Sequence, residues 1–454
     1  MNADYHRAMP ESAHAAGHAS RLPARRPAAA LFAAALLATV ALAGCALAPP
    51  SASAPPAADP AHAPAVLLVS VDGLRADTIG SGVMPTLDAL AAHGVHADWM
   101  NPSYPSLTFP NHYTVVTGLR PDHHGIVNNT MRHPALGAFS LGNRKAVEDP
   151  RWWGGEPAWV TLQKHGGHAA TMFWPGSEAP IAGMHPDEWR RFDAAVPNDE
   201  RVDTVLDWLS RTDAQRPTFV TLYFDQVDHE EHLFGPGSPQ AMQAEADVDS
   251  ALARLVAGLD ARGLRDRVDV IVVSDHGMAR IPPGQREYLD DLLAAKSLPV
   301  AAIDPVSRGT AVGVDVAPGA DAGAVEAALL GRHAHSECWR KAELPARWHY
   351  GTNPRIPAIV CQADVGWVLT TRPKPDAPVR PDADHATGAH GFDNAAPEMR
   401  AVFVADGPRI ADGKRLPPFD NVDVYPLLMR LLGVPALAND GDPATLLPAL
   451  EPGR

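Results

Sequence analysis

The sequence predicts an α/β fold built on a mostly parallel central sheet, and three observations lead to this prediction. First, residues 65–71, 217–224 and 268–273 are apolar, β-branched runs of the kind that form strands buried on both faces. Second, residues 241–259 carry an amphipathic helix pattern between the second and third runs, and such alternation is typical of parallel sheets. Third, polar motif residues follow the runs directly. Because ligands gather beyond the carboxyl ends of parallel strands, these motifs are expected to meet at one edge of the sheet.

The other predicted elements complete one domain at residues 65–435. Residues 85–93 predict a helix and residues 399–405 a further strand. Residues 421–432 predict a helix whose N-cap is Asn421 or Asp423 and which ends before Gly433. The segment 280–385 is Pro-rich and irregular in pattern, which indicates an inserted subdomain that caps the site. Residues 436–454 are expected to form a C-terminal tail.

The first 45 residues have the pattern of an export signal. Arg21, Arg25 and Arg26 precede an apolar run at 28–43, which is short for a membrane span. The run ends in Leu-Ala-Gly-Cys at positions 42–45, which resembles the bacterial lipobox, in which the cysteine is acylated. We therefore expect a cell-envelope protein, periplasmic or anchored at the outer membrane by a lipid on Cys45. Ordinary signal cleavage near Ala46 is the alternative.

Composition restricts the partners of the mature chain. Residues 46–64 are mainly Ala, Pro and Ser, cannot form a core and are expected to be a tether. The chain has 38 basic and 53 acidic residues, a net charge of −15, and no basic run in its mature part. We therefore expect no nucleic-acid polymer as a partner. A small phosphate ester is compatible with this charge, because bound divalent cations can supply the positive charge.

Two cysteines remain in the mature chain, Cys338 and Cys361. In an oxidising compartment such an isolated pair is expected to form a disulfide rather than two free thiols. Geometry decides the matter, and the sequence does not give it.

Four short motifs and one late histidine supply carboxylates, imidazoles and a hydroxyl. Six carboxylate and imidazole groups are enough to hold two metal ions, with positions left open for a nucleophile and a substrate. Two metal ions about 4 Å apart form the clamp that in-line phosphoryl transfer uses. The motif residues are Asp72 in Val-Asp-Gly, Thr108 to His112 in Thr-Phe-Pro-Asn-His, Asp228 and His232 in Asp-x-x-x-His, Asp275 and His276 in Ser-Asp-His-Gly-Met, and His390 in Ala-His-Gly-Phe-Asp-Asn.

These motifs resemble those of the nucleotide pyrophosphatase/phosphodiesterase family, within the alkaline phosphatase superfamily, across residues 65–435. The most specific stretch is 108–126, which reads TFPNHYTVVTGLRPDHHGI. The resemblance implies an alkaline-phosphatase-like three-layer sandwich with two Zn²⁺ ions per chain. It implies that the nucleophile is Thr108. The first zinc would be held by Thr108, Asp72, Asp275 and His276, and the second by Asp228, His232 and His390.

The resemblance also implies how a substrate is held. The Asn111 amide, with a backbone N–H near Thr108, is expected to hold a phosphate oxygen as an oxyanion hole would. Phe109 and Tyr223 match positions whose rings sandwich a nucleobase, with plain core packing as the alternative for Tyr223. Leu141 is a further candidate for the same slot.

Three neighbouring residues complete the interpretation of the motifs. His112 is expected to be structural rather than catalytic. Gly277 is expected to permit a turn that lets Asp275 and His276 reach one ion. Glu231 stands where the family usually has glycine, before the second histidine ligand.

The predicted function is two-zinc hydrolysis of phosphodiester or pyrophosphate bonds in nucleotides and related small diesters. A covalent threonine intermediate would form, and nucleoside monophosphates would be released. The alternatives are a lipid-headgroup phosphodiesterase, a phosphonate hydrolase or a phosphomonoesterase on the same scaffold. Arg75 and Arg120 are the nearest candidates for binding a monoester dianion. Aspartate and histidine ligands accept several divalent ions, so the sequence does not decide for zinc.

Overall fold

A computed structural model describes residues 64–373 and 385–451. The expected export signal at 1–45, its Cys45 anchor and residues 46–63 of the expected tether lie outside the described residues. The strands are Ala65–Val71 (β1), Val95–Ala97 (β2), Met100–Asn101 (β3), Thr130–His133 (β4), Gly137–Ser140 (β5), Ala169–Met172 (β6), Glu188–Trp189 (β7), Phe219–Phe224 (β8), Val268–Val273 (β9), Ala279–Ile281 (β10), Arg286–Tyr288 (β11), Ile303–Pro305 (β12), Ala311–Val316 (β13), Gly331–Arg332 (β14), Ser336–Arg340 (β15), Ile359–Ala363 (β16), Val368–Thr370 (β17), Thr387–Ala389 (β18), Phe403–Asp406 (β19), Lys414–Leu416 (β20) and Phe419–Asp420 (β21). The α-helices are Pro85–His93 (α1), Thr108–Thr117 (α2), Pro121–His124 (α3), Arg144–Val147 (α4), Ala158–Lys164 (α5), Asn198–Leu209 (α6), Gln226–Phe234 (α7), Pro239–Ala261 (α8), Leu289–Ala294 (α9), Ala322–Leu329 (α10) and Val424–Leu432 (α11).

An eight-stranded sheet in the order β20-β2-β19-β9-β1-β8-β6-β7 forms the centre of the molecule. The strands β9, β1, β8, β6 and β7 are parallel, whereas β19 pairs antiparallel with both β9 and β2. The predicted α/β fold with a mostly parallel sheet is confirmed. Strands β1 and β9 have the predicted bounds, and helix α8 is slightly longer than predicted, because Ser238 caps it by accepting a hydrogen bond from the Ala241 N–H.

Both faces of the central sheet are covered by helices. Along β1, Val66 and Leu68 join one hydrophobic cluster, and Leu67 and Val69 join another on the opposite face. Helices α2, α5 and α11 contribute to the first cluster, and α1, α6 and α8 to the second. This three-layer arrangement buries every residue of β1, which is why the strand is apolar throughout rather than alternating.

The segment 280–385, whose sequence pattern is irregular, contains a second sheet, as an inserted subdomain would. Five antiparallel strands in the order β12-β13-β16-β15-β14 pack with α9 and α10 around a hydrophobic cluster of their own. Cys338 and Cys361 are register partners on β15 and β16, with Cα atoms 4.0 Å apart, and form the predicted disulfide. That this insertion caps the site stays a prediction.

Smaller differences lie near the C-terminus. The strand predicted at 399–405 begins only at Phe403, because Pro397–Met399 forms a 3₁₀ turn and Ala401 instead bridges to Met100. Residues Asn421–Asp423 form another 3₁₀ turn before α11, which ends at Gly433 with φ 68° as predicted. Residues 436–451 pack on the domain, with Leu446 and Ala449 buried. Among the described residues, no helix is long and apolar enough to cross a membrane.

Candidate active site

Thr108 stands at the first position of α2, at the carboxyl edge of the central sheet. It is 4% exposed, and its Oγ1 lies 3.3 Å from His276 Nε2. Every residue of α2 is buried, and Gly118 ends the helix in the left-handed conformation with φ 66°. The N-terminus of a helix favours negative charge, so the backbone prepares this hydroxyl for a neighbouring phosphate.

The first group of predicted metal ligands surrounds Thr108. Asp72 follows β1, and Asp275 and His276 follow β9, its parallel neighbour. The His276 Nε2 atom lies 2.9 Å from Asp275 Oδ2 and 3.6 Å from Asp72 Oδ1. Ligands of a tetrahedral zinc ion are about 3.3 Å apart, since bonds of about 2.0 Å point to tetrahedral corners. These separations fit one ion in contact with the Thr108 hydroxyl.

The charge state of this group also favours a cation. Burial raises the pKa of Asp72 well above its ordinary value, and the charges of Asp275 and Asp228 raise it further. Among the described residues, the Asp72 Oδ1 atom is buried without a hydrogen-bond donor. A buried carboxylate oxygen with no donor is costly unless a positive charge neutralises it. The donor set therefore fits a divalent ion.

Two glycines allow the ligands to approach one another. Gly73 has φ 76°, and a Cβ atom there would lie 3.1 Å from Asp228 Cα, so glycine permits both the turn after β1 and the close approach of α7. Gly277 does not have the positive φ that the predicted turn implied. Its lack of a side chain is needed instead because a Cβ atom there would lie 2.2 Å from the Glu398 carbonyl oxygen.

The second group of ligands comprises Asp228, His232 and His390. Asp228 and His232 lie one turn apart on α7, and His390 follows β18. Their Nε2 atoms lie 3.4 Å (His232) and 3.5 Å (His390) from Asp228 Oδ1. Each ring is fixed from behind by a backbone carbonyl: His232 Nδ1 is 2.9 Å from the oxygen of Gly388, and His390 Nδ1 is 2.9 Å from that of Ser106. Donation from Nδ1 leaves a lone pair on Nε2, the form that binds metal.

The protonation of these groups matches that arrangement. Burial, and then the charge of His276, lowers the pKa of His390 to about 3, so its ring is neutral at pH 7. Burial alone would raise the pKa of Asp228, but the charge of His232 and a hydrogen bond from its ring hold that pKa below its ordinary value. A neutral imidazole and an ionised carboxylate are the forms that ligate a metal.

All six predicted ligands thus lie at one site, and the two groups adjoin. The rings of His276 and His390 stack with centroids 3.6 Å apart, and Asp228, His276 and His390 also have ligand atoms within 4.8 Å of one another. His112 also has a ring nitrogen within 4.8 Å of carboxylate oxygens of Asp72 and Asp275, at 3.3 Å from Asp275 Oδ2. Its ring nitrogens, however, are already within hydrogen-bond distance of Thr108 O (2.9 Å) and Ser70 Oγ (2.8 Å), which supports the predicted structural role.

The predicted role of Asn111 was wrong. Its two amide hydrogens donate to the carbonyl oxygens of Pro105 and Leu107, each at 2.9 Å, and its Oδ1 accepts hydrogen bonds from Ser103 N and Asn421 Nδ2. Asn111 is fully buried and holds the loop that precedes Thr108, so its amide has no hydrogen-bonding capacity left for a phosphate.

A residue that the sequence interpretation missed, Asn129, lies beside Thr108, the predicted nucleophile, instead. Its Oδ1 accepts the N–H of Phe109 at 3.0 Å, and the side chain is only half-buried. Asn129 lies 21 residues after Thr108 and outside the quoted motif, so spacing along the chain gave no reason to connect the two.

A cleft of about 660 Å³, including space open to solvent, begins at the metal ligands. Phe109, Leu141 and Tyr223 line it as predicted. The Tyr223 hydroxyl also donates to Asp72 Oδ2 at 2.5 Å and so orients a predicted metal ligand. Other apolar residues of the cleft carried no motif that could have identified them: Val147, Phe173, Trp174, Pro175 and Phe192.

The two arginines considered for a monoester dianion are occupied elsewhere. Arg75 donates to Asp77 and to the carbonyl oxygen of Met278, and Arg120 donates to Asp420 at 2.9 Å. Neither lines the cleft.

Comparison with known proteins agrees with this site. The family model for type I phosphodiesterase/nucleotide pyrophosphatase matches residues 66–393. An uncharacterized pyrophosphatase/phosphodiesterase of Schizosaccharomyces pombe is 36% identical over 396 residues, which cover 84% of this chain and 80% of that protein. Bovine ectonucleotide pyrophosphatase/phosphodiesterase family member 3 is 33% identical over 401 residues, and here the match spans 86% of this chain but only 45% of the relative.

A solved structure is similar throughout. Murine ectonucleotide pyrophosphatase/phosphodiesterase 5, an inactive threonine-to-alanine variant in complex with AMP, superposes with a TM-score of 0.78 and 31% identity. The match covers 86% of this chain and all of that one. The chain therefore belongs to the type I phosphodiesterase/nucleotide pyrophosphatase family, and its identification as a phosphoric diester hydrolase is confirmed at the level of that family.

Proposed function

We propose that this protein hydrolyses phosphodiester or pyrophosphate bonds in nucleotides with two zinc ions, through a covalent intermediate on Thr108, and releases nucleoside monophosphates. The proposal rests on one observation. Thr108 and Asp228, which belong to the two predicted ligand groups, line the same cleft as Phe109 and Leu141. A nucleoside in this cleft would place its 5′-phosphate at the Thr108 hydroxyl.

Asp72, Asp275 and His276 would hold one zinc ion together with Thr108, and Asp228, His232 and His390 the other. When bound, the ions would lower the pKa of the Thr108 hydroxyl and neutralise charge on the phosphate and the departing oxygen. Aspartate and imidazole ligands suit zinc, and its binding is supported by two buried atoms, Asp72 Oδ1 and His232 Nε2, that have no hydrogen-bond partner within the described part of the chain.

The chain's own residues account for the rest of the reaction. Thr108 Oγ1 attacks phosphorus, the new O–P bond forms as the bond to the leaving oxygen breaks, and water later cleaves the threonine ester. The N-terminus of α2 stabilises the phosphate charge. Asn129, in place of Asn111, is our candidate to donate an amide hydrogen to a phosphate oxygen, because its carboxamide is anchored to the Phe109 N–H and only half-buried. The mouse relative that is inactive carries alanine in place of a threonine, which agrees with a threonine nucleophile.

A nucleotide substrate is favoured over the alternatives by the walls of the cleft. Aromatic faces accept any nucleobase by stacking. A monoester dianion would need a cationic partner beyond the metals, and Arg75 and Arg120 are both paired elsewhere. The AMP bound to the mouse relative agrees with a nucleoside in this position.

The test compares two p-nitrophenyl substrates with the zinc-loaded protein: the ester of thymidine 5′-monophosphate and simple p-nitrophenyl phosphate. They share a leaving group, so the ratio of kcat/KM reports diester against monoester preference. We expect a preference of at least about 100-fold for the nucleotide diester, the ratio that some 3 kcal/mol of differential binding gives. A preference for the monoester would refute the proposal, and no rate on either would favour a headgroup or phosphonate substrate.

We also propose that the protein is exported and held at the cell envelope through a lipid on Cys45, on the sequence pattern of residues 1–45 alone. The test is labelling of cells with a fatty-acid analogue. The native chain is expected to incorporate the label and the Cys45→Ser variant to lose it, whereas an unlabelled native chain would support ordinary signal cleavage.

A further inference from the structure

A buried arginine outside all the motifs stands behind the wall of the cleft. Arg201 lies in the first turns of α6 and is fully buried. Lysine and arginine are almost never fully buried unless they are paired, so such a residue needs a structural or functional reason. Its guanidinium lies between α6 and the residues that line the cleft.

The guanidinium joins two segments of backbone. On one side it donates to the carbonyl oxygen of Tyr223 at 3.0 Å and to Asp225 Oδ1 at 2.7 Å, at the end of β8. On the other side its Nε donates to the carbonyl oxygen of Val196 at 2.9 Å, in the loop that leads from Phe192 to α6. The planar fork of arginine suits such bridging, whereas a lysine ammonium has a single nitrogen.

The same guanidinium also contacts two aromatic rings. Its Cζ lies 5.1 Å from the ring centroid of Phe173 and 6.0 Å from that of Phe192. These distances are within the range of cation–π attraction. Phe173, Phe192, Tyr223 and Asp225 all line the cleft, so four of its lining residues meet at this one buried group.

We infer that Arg201 is a positioning residue that sets the nucleoside side of the cleft by fixing the loop that carries Phe192 against Asp225 and the end of β8. This inference rests on the proposed function, since it assigns the cleft to a nucleoside. Among the described residues, Arg201 makes no hydrogen bond to a predicted metal ligand, and it holds Tyr223 by the backbone carbonyl rather than by the hydroxyl that donates to Asp72. It therefore acts on substrate binding rather than on the reacting atoms.

The experiment uses two diesters with the same leaving group. The p-nitrophenyl ester of thymidine 5′-monophosphate carries a nucleoside, whereas bis(p-nitrophenyl) phosphate does not. For Arg201→Met we expect KM for the nucleotide ester to rise roughly tenfold with kcat nearly unchanged, the signature of lost uniform binding, and kcat/KM for the bis-ester to stay within about twofold. Arg201→Lys should give a smaller rise, because it keeps the charge but not the bridge.

Two further variants separate positioning from general stability. Arg409 is another largely buried arginine, paired with Asp269 at 2.5 Å at the opposite end of β9, so Arg409→Met controls for loss of a buried ion pair. It should lower stability without changing the ratio between the two substrates. In a Phe192→Leu background, Arg201→Lys should have little further effect on KM, because Arg201 and Phe192 contribute to the same wall of the cleft.

A parallel loss on both diesters in Arg201→Lys, or no change on either, would overturn the inference. If Arg201→Met does not fold, Arg201→Lys, measured in the native and in the Phe192→Leu background, decides whether Arg201 positions the cleft. The proposed function fails if the native enzyme does not prefer the nucleotide ester to the bis-ester. The inference about Arg201 alone fails if the native enzyme has that preference and the Arg201 variants leave it unchanged.

Discussion

Replacing Glu245 by glutamine is expected to stabilise the protein above pH 7. Glu245 lies on α8 and is 9% exposed. Burial, and then the charge of Asp77, raises the pKa of Glu245 to about 7, although Arg75 opposes the shift. Glu231 on the adjacent α7, at the position where the family usually has glycine, is buried as well, and its Oε2 has no hydrogen-bond partner among the described residues. Burial and the charge of Glu245 raise the pKa of Glu231 too.

The sign of the pH dependence follows from the direction of the shift. In the unfolded chain Glu245 ionises near pH 4.5, and in the folded protein near pH 7. The folded state therefore binds more protons between these values, and the contribution of Glu245 to stability is complete below pH 4.5 and is lost as pH rises through 7. One pKa unit is worth about 1.4 kcal/mol, and solvent screens part of the shift, so Glu245→Gln should gain roughly 1–3 kcal/mol at pH 8.

Urea denaturation of the metal-free protein at pH 4 and pH 8 measures this difference without the complication of metal loss in acid. Asp247→Asn is the matched control, because Asp247 is an exposed acid on the same helix. The reasoning is refuted if Glu245→Gln destabilises at pH 8, if its gain is equal at both pH values, or if Asp247→Asn gives the same gain.

Two further predictions concern the disulfide and the metal ligands. Replacing Cys338 and Cys361 by serine should lower the free energy of unfolding by about 3 kcal/mol, because the bridge closes a loop of 23 residues, and a loss below 1 kcal/mol in urea denaturation would contradict this. His232→Ala should reduce the zinc content of the purified protein from about two ions per chain to about one, since the second group is left with only two ligands. His229→Ala, one helical position past Asp228, should keep both ions, and retention of both by the His232 variant would remove that histidine from the ligand set.

The central strands, and the meeting of the six candidate ligands at one site, could be predicted because short stretches of sequence are enough to indicate them. Strand β1 is apolar throughout because both of its faces are covered, and its run of residues shows this directly. The ligand residues follow such strands or lie one helical turn apart, as Asp228 and His232 do. Parallel pairing of β1 with β8 and β9 then brings their ends together without further information.

What could not be predicted depends on contacts between distant segments. Asn111 has the residue type of an oxyanion donor, but its amide is fully hydrogen-bonded to Ser103, Pro105, Leu107 and Asn421. The closeness of Asn111 to Thr108 in the sequence does not reveal such partners. Phe192 belongs to a loop with no strand or helix pattern, 84 positions after Thr108. Strands β12 and β14 of the insertion are only two or three residues long, too short for the alternation that identifies a strand. Strands β13, β15 and β16 are five or six residues long, but polar residues or glycine interrupt their apolar residues, so they lack the continuous run that identified β1 and β9.

The covalent threonine mechanism is tested by the rate of the Thr108→Ala variant on the thymidine 5′-monophosphate ester, measured together with its zinc content and circular dichroism. We expect a loss of about 10³-fold or more, with the fold unchanged and both ions retained, because removing a nucleophile costs at least this much while Asp72, Asp275 and His276 would still hold their ion. A variant that keeps its zinc and turns over within tenfold of the native rate would contradict the covalent threonine mechanism.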